Sequence, residues 1–251
     1  MNAVVDGLMT SYTDLGEGKI VLFLHGWGSN EAVFQDVREL LSKKYRCVSL
    51  NLPGFGLTDE PPKPWSVQNY TDFVKQFLAK LKIKDTYAIV GHSFGGRIML
   101  KGLVDHQLSA RKLIFLDTAG VKNRATPRSL LFMMIAKIGK AVFSLPGLNK
   151  SQNKMRNRLY GAAGAKDFVN AGSDIMKETF KKAISEDLKD NIAKITQDSL
   201  VIWGSDDQET PISNLEYYKQ NPHMKIHVLD GGHYIFLDQP ERVNKLIGDF
   251  L

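Results

Sequence analysis

Ser93 stands in the run Gly91-His92-Ser93-Phe94-Gly95-Gly96, with a glycine two residues away on each side, an apolar segment before it and helical spacing after it. That is how a nucleophile elbow is written. A sharp strand-to-helix turn forces the serine into a strained backbone conformation with its hydroxyl projecting. Side chains at 91 or 95 would collide with the neighbouring strand and helix, and glycine removes both collisions. The N-terminus of the following helix also aims backbone N–H groups at the place where an oxyanion would form. A serine hydroxyl is a weak nucleophile until a base removes its proton. The chemistry therefore needs an imidazole near its ordinary pKa and a carboxylate to fix the tautomer of that imidazole.

Both follow in the chain, each just beyond a strand-like run. The acid lies in Trp203-Gly204-Ser205-Asp206-Asp207-Gln208-Glu209-Thr210-Pro211, after the strand-like residues 199–202, and both Asp206 and Asp207 are open to the role. The base lies in Gly231-Gly232-His233-Tyr234, after the run 225–229. A fourth element, His25-Gly26-Trp27-Gly28, follows the apolar residues 20–24. The oxyanion hole is assigned to the backbone N–H groups of Trp27 and of Phe94, the residue after the nucleophile.

The elements that must hold these groups alternate between strand and helix. Strands are predicted near 9–14, 20–24, 46–50, 87–90, 112–116, 199–203 and 225–229, and helices near 31–43, 67–81, 94–106, 213–219 and 239–250. The alternation predicts an α/β fold, a mostly parallel central sheet flanked by helices, with the reactive groups gathered at the strands' carboxyl ends. It breaks after Asp117-Thr118-Ala119-Gly120 and resumes at Ser199. Residues 121–194 are therefore read as an inserted helical cap on a core formed by residues 1–120 and 195–251.

With these motifs in place, the chain resembles the α/β-hydrolase superfamily over essentially its whole length, in the serine-nucleophile branch with a helical cap. The resemblance rests on His25-Gly26-Trp27-Gly28, on Leu52-Pro53-Gly54-Phe55-Gly56-Leu57-Thr58, on the Ser93 elbow, on Trp203 to Pro211, and on Gly231-Gly232-His233 before Gln239-Pro240-Glu241. In the family's acid motif, Trp-Gly-x-x-Asp-x-x-x-Pro, the carboxylate falls on Asp207, with Asp206 as the alternative. Where many relatives carry Asp before Leu-Pro-Gly, this chain has Asn51, which bears on loop hydrogen bonding rather than on the triad.

Relatives with a carboxylate nucleophile make alkyl-enzyme esters, so a serine argues for attack at a carbonyl. The resemblance implies a serine hydrolase, a carboxylesterase acting on short to medium acyl or small aryl esters through an acyl-enzyme. The catalytic residues would be Ser93, Asp207 and His233. Gly95-Gly96-Arg97 is also similar to the elbow of the menaquinone-pathway carboxylate synthase, a lyase of this fold that uses arginines to hold substrate carboxylates. That likeness makes Arg97 a candidate substrate-binding residue and the lyase an alternative. Carbon–carbon bond hydrolases share the triad, and a slow-turnover ligand-binding receptor is the alternative of another class.

Composition sets the outer bounds. A chain of 251 residues with 43% hydrophobic content can bury a large core as one domain plus an insertion. Its one cysteine, Cys47, lies in an apolar run and reads as a buried structural thiol. The N-terminus lacks a basic region followed by a long apolar stretch, so no signal peptide and a cytoplasmic location are expected. Residues 121–194 carry 15 Lys and Arg against 6 Asp and Glu, while the remainder carries 18 against 21. Such a field could steer an anionic substrate to the cleft or bring the cap to an anionic membrane surface; a solvated cap face is the bland reading of the same asymmetry.

Within the cap, the apolar run from Leu130 to Leu145 is interrupted by Lys137 and Lys140 and is too short and too charged to span a bilayer. Met133, Met134 and Phe143 are its candidate pocket liners, against simple packing on the core. His25 reads as shaping its turn, His92 as pointing away from Ser93, and His106, His223 and His227 show no metal-ligand spacing. No metal, no cofactor and no nucleic-acid partner is expected. The expected partner is a small-molecule ester, and the expected assembly is a monomer or homodimer.

Overall fold

The computed structural model describes residues 1–122 and 172–251. Eight strands among the described residues form one sheet: β1 (Asn2–Val5), β2 (Leu8–Leu15), β3 (Ile20–Leu24), β4 (Arg46–Leu50), β5 (Thr86–His92), β6 (Ala110–Leu116), β7 (Asp198–Gly204) and β8 (Met224–Leu229). The helices are α1 (Gln35–Leu41), α2 (Val67–Lys80), α3 (Phe94–Val104), α4 (Asp174–Ser185), α5 (Lys189–Ile192), α6 (Leu215–Lys219), α7 (Ile235–Asp238) and α8 (Pro240–Phe250). The strand order is β1-β2-β4-β3-β5-β6-β7-β8. β1 and β2 are antiparallel to their neighbours, and every pairing from β4 to β8 is parallel.

The alternation of side chains along a strand builds a core on each face of this sheet. Leu22, Leu24, Ile89, Leu113, Phe115, Val201 and Trp203 face one way, into a cluster with residues of α2 and α3. Val21, Phe23, Ala88, Val90, Ile114, Leu116, Leu200 and Ile202 face the other, into a cluster with residues of α1 and α8. Strands buried on both faces read as continuous apolar runs, which is why β3, β5, β6 and β7 were legible. Cys47 is fully buried in the second cluster, and burial pushes its thiol up to about 12.

Local signals set the helix starts. Ser66 and Asn69 make a reciprocal capping box at the start of α2, whose buried residues Val67, Tyr70, Phe73, Val74 and Phe77 follow helical spacing. The predicted helix at 31–43 begins instead as a 3-10 turn, Glu31–Phe34, capped by the Asn30 side chain, before α1. Another 3-10 turn, Ile212–Asn214, opens the segment predicted as one helix at 213–219. β1 was not predicted: its burial alternates only weakly, and it exists through antiparallel pairing with β2 at the sheet edge.

β3 pairs with β4 on one side and β5 on the other, so the chain leaves β3 in one direction along the sheet and returns to its opposite flank. The carboxyl ends of β3 and β5 thus meet at the point where the winding reverses, where open α/β sheets bind ligands.

Candidate active site

Ser93 is the single residue between β5 and α3, and its backbone adopts φ 47°, ψ −112°. A non-glycine residue in that region carries strain of about 1–3 kcal/mol and stays there only when its surroundings over-determine it. They do so here. The Ser93 amide donates to Leu116 O at 3.1 Å, and its carbonyl accepts from Ala119 N at 3.1 Å and Arg97 N at 3.2 Å. The flanking glycines permit the packing: a Cβ at Gly91 would lie 2.7 Å from Gly96 Cα, and one at Gly95 would lie 2.0 Å from Leu24 O on β3. Collisions with strand and helix were anticipated at these two positions, and the structure assigns the helix to 91 and the strand to 95.

His233 Nε2 lies 2.9 Å from Ser93 Oγ, and His233 Nδ1 lies 2.8 Å from Asp207 Oδ2. A carboxylate only accepts, so Nδ1 carries the proton and the Nε2 lone pair faces the serine hydroxyl. Asp207 is held in turn. Its Oδ1 accepts the amides of Glu209 at 2.8 Å and Thr210 at 2.9 Å, and its Oδ2 accepts the Thr210 hydroxyl. Burial opposes the charge on Asp207, but the His233 and Thr210 hydrogen bonds outweigh it and hold the carboxyl below its ordinary range. Burial likewise opposes charge on His233, and the hydrogen bond and charge of Asp207, reinforced by Glu209 and Asp117, raise that imidazole above its ordinary value. Asp206 is exposed, and its amide donates to Gly231 O at 2.9 Å, so of the two neighbours it is Asp207 that meets the imidazole.

The loop after β3 lies against the elbow. A Cβ at Gly26 would come within 3.2 Å of Ser93 Cβ and 2.8 Å of His92 Nδ1, so only glycine allows this approach. Phe94 opens α3, whose first N–H groups have no acceptor within the helix. The rings of Trp27 and Phe94 sit 5.3 Å apart, edge to face, with Phe55 4.8 Å and Phe180 5.1 Å from Trp27. His25 is buried and shapes the turn: Nδ1 donates to Gly26 O at 2.8 Å and Nε2 accepts from Leu52 N at 2.9 Å, while burial lowers its pKa to about 4. Asn51 uses both halves of its amide, donating to Ser11 Oγ at 2.6 Å and accepting from Glu31 N at 2.7 Å.

Two buried residues that sequence reasoning did not assign to the site support it from behind. His92 Nε2 donates to the His233 carbonyl at 2.8 Å, and burial with the nearby His233 charge lowers the His92 pKa to about 3. Asp117, the residue after β6, has φ 43° and is fully buried. Its Oδ1 accepts from Gly204 N at 2.8 Å and its Oδ2 from Ile235 N at 3.1 Å. The available signal was a carboxylate at the carboxyl end of a buried parallel strand, a position that faces the cleft.

Arg97 is buried, and Nη1 donates to Glu186 O at 2.5 Å, beneath the segment that joins α4 to α5. Met133, Met134 and Phe143 lie outside the described residues. So does most of the basic excess of the segment predicted as a cap: residues 123–171 hold nine Lys and Arg against Asp167 alone. Within 172–194, α4 docks on the core through Thr179 Oγ1, which accepts Trp65 N at 3.0 Å, and through Met176, packed where Gly54 leaves room. Among the described residues, no helix is long and apolar enough to cross a membrane.

Residues 19–240 match the family model for the alpha/beta hydrolase fold. The AB hydrolase superfamily protein YisY of Bacillus subtilis is 24% identical over 262 residues, covering 94% of this chain and 93% of that protein. Among solved structures, a meta-cleavage product hydrolase, CumD, from Pseudomonas fluorescens IP01 superposes with a TM-score of 0.74 at 23% identity, covering 100% of this chain and 96% of that one. An esterase from Exiguobacterium antarcticum superposes with a TM-score of 0.75 at 22% identity, covering 99% and 98%. With its matched segment spanning both the Ser93 elbow and the His233 loop, this chain belongs to the alpha/beta hydrolase fold family.

Proposed function

We propose that this hydrolase cleaves carboxylic esters through an acyl-enzyme on Ser93. The observation that carries the reading is the hydrogen-bonded line from Ser93 Oγ through His233 to Asp207, with contacts of 2.9 and 2.8 Å, on a strained elbow. His233 Nε2 takes the serine proton as Oγ attacks the ester carbonyl, and Asp207 stabilises the imidazolium that forms. The N–H groups of Trp27 and Phe94 receive the oxyanion. Collapse of the tetrahedral intermediate breaks the bond to the alcohol oxygen, which leaves with the proton held on Nε2. Water then repeats the sequence, attacking the acyl carbonyl and returning Ser93.

Of the segment that the sequence predicts as a cap, α4 is a described part, and it is anchored on the core through Thr179 and Met176. The carboxylate-holding alternative draws no support from Arg97, whose guanidinium is engaged with the Glu186 carbonyl. The test is hydrolysis of p-nitrophenyl esters from acetate to dodecanoate by wild type and Ser93→Ala in parallel. Serine-dependent turnover with a chain-length optimum is the expected result. A folded wild type that turns over none of them would reject the ester reading.

A further inference from the structure

The turn that presents Asp207 to one nitrogen of His233 presents a second carboxylate to the other. Glu209 donates its amide to Asp207 Oδ1 at 2.8 Å, which fixes where its side chain starts. Its Oε2 then lies 3.3 Å from His233 Nε2, the nitrogen that also faces Ser93 Oγ at 2.9 Å. The Glu209 side chain is 58% exposed, against none for Asp207, so it stands at the mouth of the site. Asp207 already fixes the tautomer, and Glu209 does not lie between imidazole and serine. Nothing in the acyl-transfer steps requires a carboxylate there.

What sits beside Nε2 during those steps is the alcohol half of the substrate, because Nε2 must hand its proton to the departing oxygen. A carboxylate touching Nε2 therefore borders the alcohol's first carbons. It accepts hydrogen bonds only, and it repels negative charge. A hydroxyl on the carbon next to the one that bears the ester oxygen lies, when gauche, about one hydrogen-bond length from that oxygen, within reach of Glu209. Resting on the ester reading above, we propose that Glu209 determines specificity on the alcohol side. It accepts a hydrogen bond from a hydroxyl vicinal to the scissile ester, so the preferred substrates are esters of vicinal diols and polyols. This runs against the anionic substrate suggested by the basic segment, at least for the alcohol half.

The test compares kcat/KM for glycerol 1-monobutyrate and n-propyl butyrate, which share the acyl group and differ in the hydroxyls, using the full chain as wild type, Glu209→Gln and Glu209→Ala. Wild type is expected to favour the glycerol ester by roughly tenfold, the effect of one hydrogen bond to a charged group. Glu209→Ala is expected to bring the ratio near unity, and Glu209→Gln, which keeps an acceptor oxygen, to retain part of it. A role exerted only through the imidazole would change both esters equally; an unchanged ratio in Glu209→Ala, or a wild-type ratio near unity, overturns the proposal while leaving the esterase reading standing. Absence of turnover of both esters, together with the p-nitrophenyl series, rejects both.

Discussion

Asp117 holds Gly204 by its amide at 2.8 Å and, through its other oxygen, Ile235 at 3.1 Å. Gly204 ends the strand that leads to Asp207, and Ile235 begins the helix just after His233. One buried carboxylate thus ties together the loops that carry Asp207 and His233.

Asp117→Asn preserves size but replaces one acceptor by a donor, so one backbone N–H loses its partner. That is expected to cost about 1–3 kcal/mol in denaturant unfolding and to lower kcat more than it changes KM. Burial, only partly offset by the two amides, raises the Asp117 pKa from 3.8 to about 7. A raised carboxyl pKa means that the folded state holds the proton longer than the unfolded chain. Its contribution to stability is full below 3.8 and gone once pH has risen through about 7. Unfolding free energies measured from pH 4 to 8 should show this component in wild type and lack it in Asp117→Asn.

The choice between neighbouring acids is tested by paired variants. Asp207→Asn leaves His233 with the wrong tautomer and is expected to lower kcat by about 10⁴. Asp206→Asn is expected to stay within a few-fold, since that side chain is exposed. The same pair reads out pH dependence. Because His233 is raised above its ordinary 6.5 and only the neutral imidazole acts as base, activity should fall as pH drops through a value above 6.5. Asp207→Asn should move that limb downward. A limb unmoved in Asp207→Asn would mean that another group governs it.

Glycine positions give a test of packing alone. A Cβ at Gly95 would meet Leu24 O at 2.0 Å, where neither strand nor helix can yield cheaply. Gly95→Ala is therefore expected to destabilise by about 3 kcal/mol or more. Gly248, exposed on α8, has nothing within 4 Å of its Cβ position. Gly248→Ala should be neutral or stabilise by up to about 1 kcal/mol through helix propensity. Chemical denaturation of the two variants beside wild type separates these outcomes.

The sequence by itself determined the parallel core strands, because runs such as Ile20–Leu24 and residues 113–116 are apolar on both faces and short-range periodicity reports that directly. It also determined where a serine, an acid and a histidine stand relative to strand ends, and that glycine must flank Ser93. Only the tertiary structure decided that Asp207 rather than Asp206 meets His233, that Asp117 and His92 brace the loops, and that Arg97 turns to Glu186. It alone brought Glu209 to the far side of His233. Each of these joins residues distant in the chain, or separates two adjacent carboxylates by the direction in which one turn aims them. Hydrophobic spacing carries the first kind of information, since burial is a property of each residue's own periodicity. It carries none of the second, since a hydrogen bond between loops exists only after the sheet has set those loops side by side.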